Sequence, residues 1–166
     1  MNSKSDIIEH IPRLRRYARA LAGDPASADD LVQDTLERAL TKYERWRPDS
    51  DLRAWLFTLM HNVFVNQVRA LRSRSALNLD AARELPVSGS QMDALRMHDI
   101  RAALHQMPSN QREVLLLVGL EQFSYAEAAR ILGVPPGTIM SRLSRAREKM
   151  RQVLAEDSVA RLKVIK

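Results

Sequence analysis

Cysteine is absent from this 166-residue chain, which removes disulfide scaffolds, thiolate zinc sites, cysteine nucleophiles and thiol switches in one step. Aromatic residues make up only 5% and glycines number five, so a sheet built from aromatic and β-branched runs has little material to work with. No run approaches the ~20 consecutive apolar residues that a membrane span requires. Residues 1–11 carry polar and charged residues where a secretory signal would need an apolar centre. These absences lead to the expectation of an all-α, cytoplasmic protein without membrane insertion.

What is present is arginine. Of 26 basic residues only five are lysine, and the net charge is +6. A planar, permanently charged group suits phosphates and base edges, so the composition points to a nucleic-acid partner once position agrees with it. The length allows one domain or two small ones.

Helical periodicity opens over residues 7–22, with Ile7, Ile11, Leu14, Ala18 and Leu21 inward and arginines crowding the remainder. Gly23 ends that pattern, and Asp24-Pro25 reads as an N-cap followed by proline at the first helical position. In the helix that follows, Ala28, Val32, Leu36, Ala39, Leu40 and Tyr43 form the predicted apolar stripe. Asp30, Gln33, Asp34 and Glu37 recur at i, i+3, i+4 and i+7 on another face, an acidic stripe on a basic chain. After Arg47-Pro48-Asp49-Ser50 a third helix is predicted over 51–72, with Leu52, Trp55, Leu56, Leu59, Val63 and Leu71 inward.

Residues 73–91 lose periodicity, and Pro86 with Ser88-Gly89-Ser90 supplies linker chemistry. A segment of about 19 residues spans roughly 60 Å at ~3.3 Å per residue, so two domains need not touch. Helices are predicted over 92–106 and 109–118, the latter with Val114, Leu115 and Leu117 as core and Gly119 closing it. Ser124 and Glu127 form a capping box for a short helix over 125–132. Gly133 takes the left-handed terminating position, and Pro135-Pro136 precedes a last helix over 136–154. That punctuation is a helix-turn-helix. The expected fold is therefore all-α, two small helical domains joined by a flexible linker, the C-terminal one a helix-turn-helix.

The second helix of such a unit enters the major groove. With Ile139, Leu143, Ala146 and Met150 inward, its polar side carries Thr138, Ser141, Arg142, Ser144, Arg145, Arg147, Lys149 and Arg151, interrupted by the single acid Glu148. A solvated basic face is the plain alternative; capping box, glycine turn and short preceding helix together favour DNA. This half specifies DNA binding and not the process.

The strings ADDLVQDTLERAL (28–40), DLRAWLFTLMHNVFVNQVR (51–69), MPSNQREVLLL (107–117) and SYAEAARILGVPPGTIMSRLSRAREKM (124–150) resemble extracytoplasmic-function sigma factors, in order and over residues 11–150. The resemblance implies sigma region two over 1–72, a linker over 73–91 and sigma region four over 92–156. It also implies that the protein is not an enzyme, needs no cofactor or metal, and has core RNA polymerase as partner through the β′ clamp helices and the β flap. Promoter DNA and an anti-sigma factor are its other implied partners.

By the same resemblance Asp30, Gln33, Asp34 and Glu37 match the surface that engages the β′ clamp helices. Asn62, Asn66 and the loop 46–52 fall where such factors open and read the non-template strand of the minus-ten element. There asparagine amides can donate and accept at exposed base edges, and Arg69, Arg72 and Arg74 would hold the backbone. Thr138, Met140, Ser141, Arg142, Ser144, Arg145, Arg147 and Arg151 would meet the minus-thirty-five element. Met140 departs from the pattern, standing where a basic residue is common. The abbreviated N-terminal helix resembles shorter members tied to general stress responses and partner switching.

Residues 157–166 are read as a tail, either a frayed helix end or a mobile segment. Trp55 reads as core rather than as part of a stacking platform. The dispersed histidines form no metal set, and no hydrolytic constellation is recognisable. Two rivals share features: a sigma-like decoy that binds an anti-sigma factor without initiating transcription, and a stand-alone repressor. The retained arginines and the absence of a receiver-like domain count against the decoy. The acidic stripe and Asn62 count against the repressor.

Overall fold

The computed structural model describes residues 4–75 and 91–164. Among them there is no strand, and no helix is long and apolar enough to cross a membrane. The linker segment with Pro86 and Ser88-Gly89-Ser90 lies outside the described residues. The chain divides into two compact units.

In the first unit, α1 (Ser5–Ala22), α2 (Pro25–Lys42) and α3 (Leu52–Ser75) pack against one another. Helix α1 ends at Gly23, whose φ of 90° is the left-handed conformation glycine adopts without a Cβ penalty. Asp24 then caps α2, accepting from the Ser27 amide at 2.8 Å, with Pro25 at the first helical position. Asp51 caps α3 rather than opening it: its Oδ1 accepts from the amides of Arg53 at 2.9 Å and Ala54 at 3.3 Å. Leu14, Leu21, Leu31, Leu56 and Met60 are fully buried, and Tyr17 meets Phe57 edge to face at 5.1 Å. Burying each such leucine contributes about 1.5 to 3 kcal/mol.

Two expected core positions are on the surface. The buried face of α2 is Ala28, Leu31, Val32, Thr35 and Ala39, whereas Leu40 is 49% exposed. Thr35 buries because its hydroxyl donates to the Leu31 carbonyl at 2.7 Å, leaving no unsatisfied polar atom. Leu71 is 58% exposed. Conversely Phe57, Met60 and Phe64 are buried, so α3 is covered on a wider arc than a single stripe.

The second unit contains α4 (Gln91–Gln106), α5 (Ser109–Leu115), the greater part of α6 (Tyr125–Leu132) and α7 (Pro136–Val164), with α4 and α5 both packed on α7. Gly119 does not close a helix. The chain widens into a π-helical turn, Leu116–Leu120, and the left-handed residue beyond it is Gln122, φ 59°. The capping box forms as expected: Glu127 Oε2 accepts from the Ser124 amide at 2.7 Å, and Ser124 Oγ accepts from the Glu127 amide at 3.1 Å. Gly133, φ 65°, turns the chain, and the Val134 amide donates to the Ala129 carbonyl at 3.0 Å, closing α6 in a Schellman motif. Ile139, Leu143, Ala146 and Val153 are the buried side of α7, with Met150 only half-buried. Helix α7 continues to Val164, so the segment read as a tail is helical through that residue; no glycine or proline after Gly137 interrupts it.

Candidate protein- and DNA-binding surfaces

Helix α2 presents Asp30, Gln33, Asp34 and Glu37 to solvent together, because the 3.6-residue period places all four opposite the Leu31, Thr35 and Ala39 side. Leu40, on that same exposed face, adds an apolar side chain among the acids. The Gln67 amide of α3 donates to Asp34 Oδ2 at 3.2 Å. Neither Leu40 nor Gln67 was singled out from the sequence as a surface residue; the exposure of Leu40 follows once Thr35 is assigned to the core.

On α3, Asn62, Asn66, Arg69, Arg72 and Arg74 are all exposed. Asn62, Asn66 and Arg69 fall within one sector of the helix at spacings of four and three, so amides and a guanidinium share one face. Arg72 and Arg74 continue into the last turn, where basic groups also complement the helix dipole. The loop before α3 is ordered by its own bonds: Ser50 donates to the Arg47 carbonyl through its amide at 3.0 Å and its hydroxyl at 2.7 Å. Its base is Trp46, 7% exposed, between Tyr43 at 5.7 Å and Trp55 at 6.4 Å between ring centroids. Trp55 is only half-buried, so Trp46 is the more enclosed of the two tryptophans.

On α7, Met140, Ser141, Ser144, Arg145, Arg147 and Arg151 are exposed, with Thr138 and Arg142 half-buried. They do not all share one face. Ser144 and Arg145 border a polar depression with Glu148, Lys149 and Gln152. Arg147 and Arg151 stand on another flank, at the edge of an apolar groove of ≈ 450 Å³ whose floor includes Leu104, Leu116, Leu120 and Met150. Arg151 also lies 3.6 Å from Glu148 Oε2. No local pattern in the sequence signals this groove, which the π-helical turn helps to line.

Comparison with known proteins agrees with both halves. Residues 7–61 match the family described as the Sigma2 domain of PhyR, and residues 97–150 match Sigma-70, region 4. The ECF RNA polymerase sigma factor EcfG of Rhodopseudomonas palustris is 43% identical over 156 residues, covering 93% of this chain and 86% of the relative. The chain belongs to the ECF RNA polymerase sigma factor family. A further member, SigC of Mycobacterium tuberculosis, is 36% identical over 79% of this chain and 72% of its own. The sigma factor RpoE of Bartonella quintana, solved in complex with the anti-sigma factor NepR, superposes with a TM-score of 0.82 at 36% identity, covering 92% of this chain and 96% of that one. CnrH, solved with the cytosolic domain of CnrY, superposes at 0.70 with 26% identity, over 92% and 87% of the two chains. Within this ECF sigma chain the acidic stripe lies inside the Sigma2 match and Thr138 to Arg147 lie inside the region 4 match. Asn62 to Arg74 follow the first match, and Arg151 follows the second by one residue.

Proposed function

We propose that this ECF sigma factor binds core RNA polymerase, directs it to promoters and initiates transcription without catalysing a reaction itself, acting in the cytoplasm. Residues 1–72 would serve as region two, 73–91 as linker and 92–156 as region four. The observation that carries this reading is the pairing, in one chain, of an exposed acidic face on α2 with exposed arginine-bearing faces on α3 and α7. In this reading Asp30, Gln33, Asp34 and Glu37 dock on the β′ clamp helices, with Leu40 packed among them. Asn62, Asn66, Arg69, Arg72 and Arg74 engage the opened minus-ten element. Thr138, Met140, Ser141, Arg142, Ser144, Arg145, Arg147 and Arg151 engage the minus-thirty-five duplex, and region four also meets the β flap.

An anti-sigma factor is the natural antagonist, since RpoE of Bartonella quintana is solved with the anti-sigma factor NepR and CnrH with the cytosolic domain of CnrY. Its binding and core binding should exclude each other. A decoy reading has one specific support, the match of residues 7–61 to the Sigma2 domain of PhyR. Run-off transcription with purified core polymerase separates the two. A promoter-dependent transcript that is lost on charge reversal at Asp30 and Asp34 supports initiation. Failure of the unaltered chain to yield any transcript, with anti-sigma binding intact, supports the decoy.

A further inference from the structure

The acidic stripe on α2 is joined from α3 by Gln67, whose Nε2 donates to Asp34 Oδ2 at 3.2 Å. The two ends of this bond differ in freedom: Gln67 is half-buried and Asp34 is exposed. An exposed carboxylate samples several rotamers and loses them on docking, whereas one already bonded to the amide of a half-buried neighbour loses fewer. The amide is neutral, so it restrains the carboxylate without cancelling its charge. A single amide hydrogen on Oδ2 leaves Oδ1 able to accept from a cationic partner, since a carboxylate offers about four lone-pair positions. A lysine in the same place would restrain Asp34 equally well but neutralise it.

From this we propose that Gln67 is a positioning residue for core-polymerase docking: it sits on the helix assigned to promoter opening, yet acts by aiming Asp34 on the docking helix. The inference rests on the docking role proposed above for Asp34. It gives α3 two separate duties one residue apart, with Asn66 turned to the promoter side and Gln67, about 100° round the helix, turned to α2.

The test is a double-mutant cycle on full-length chain, reading affinity for purified core polymerase by titration with a labelled factor. Gln67→Ala should weaken binding roughly threefold to fivefold, the size of one exposed hydrogen bond, with an unchanged thermal midpoint. In an Asp34→Ala background the same change should have no further effect, because the carboxylate that Gln67 holds is gone. Gln67→Glu should weaken binding more than Gln67→Ala at low salt, and its loss relative to wild type should shrink as salt rises, since like-charge repulsion at the surface is screened. An equal loss from Gln67→Ala with and without Asp34, or no loss while Asp34→Ala does weaken binding, overturns the positioning role. If Asp34→Ala leaves core affinity unchanged, the docking assignment itself fails.

Discussion

The guanidinium of Arg112 donates through Nε to the Leu104 carbonyl at 2.7 Å. A second arm reaches the Met107 carbonyl at 3.1 Å, so one side chain from α5 satisfies carbonyls at the C-terminal end of α4, where helical partners run out. The group is half-buried, and burial lowers its pKa while neighbouring Glu113 acts to raise it. Arginine remains charged throughout the accessible range even so. Its fork geometry is what allows two carbonyls to be met at once.

Arg112→Ala should therefore destabilise the second unit by about 2 to 3 kcal/mol, because it strands buried carbonyls as well as removing charge-assisted bonds. Arg112→Lys should recover less than half of that, since a point charge on a flexible stem cannot reproduce the fork. Denaturant unfolding of both variants is the measurement. Equal stability of the lysine variant and wild type would show that charge alone, and not geometry, is what α4 needs.

The capping box sets the entry of α6 and hence the helix-turn-helix. Ser124→Ala should cost about 1 kcal/mol, and Glu127→Ala a comparable amount by freeing the Ser124 amide. The two bonds are reciprocal, so the double variant should lose less than the sum of the singles. Strict additivity in thermal unfolding would mean the two bonds act independently.

How much of this was legible in the sequence depends on whether a residue's neighbours were local. Asp24, Ser124, Glu127 and Gly133 act within a few residues of themselves, and their roles were readable directly. Leu40 and Leu71 were misplaced because periodicity reports a face without reporting its width. The predicted stripe of α2 leaves out Leu31 and Thr35 and runs on to Leu40, although a threonine that bonds its own helix buries like a valine. Phe57, Met60 and Phe64 lie on an arc wider than one stripe, so α3 shows weak amphipathicity despite a dense core. The π-helical turn after Leu115 and the Gln67 bond to Asp34 depend on three-dimensional context and left no local signature. The exposed stripe, by contrast, was legible because three acids and a glutamine at i, i+3, i+4 and i+7 share a face in any helix.

His10 offers a stability test in the first unit. It is partly buried, and burial followed by Arg13 lowers its pKa below 6.5, with Arg53 acting the same way and Asp51 and Glu9 opposing. The unfolded chain therefore takes up this proton before the folded one as pH falls, so stability declines through the region below about pH 6.5. His10→Gln removes that component. The drop in thermal midpoint between about pH 7.5 and about pH 5.5 should be smaller in the variant, and parallel drops in both proteins would show that His10 carries none of it.

On α7 the flanking positions of Arg145 and Arg151 predict different defects. Arg145 shares its side with Ser144 and borders the polar depression, so it is placed to read a base edge if this side enters the major groove. A bidentate contact to guanine is worth about 1 to 3 kcal/mol of discrimination. Arg145→Ala should then relax preference at one promoter position. Arg151 lies a turn and a half further along, near Glu148 at 3.6 Å, which suits a backbone contact of reduced strength. Arg151→Ala should lower affinity evenly across promoters and reduce the salt slope by roughly one unit. Glu148→Gln, by releasing Arg151 and removing an acid from a basic face, should raise affinity on every sequence. Met140, 54% exposed and uncharged, suits contact with a thymine methyl. Met140→Lys should raise general affinity while shifting preference beside it. Holoenzyme binding to a panel of promoter variants at several salt concentrations measures all four. Identical sequence profiles for Arg145→Ala and Arg151→Ala, with the same loss on every promoter, would show that the two arginines do the same work despite their different surroundings.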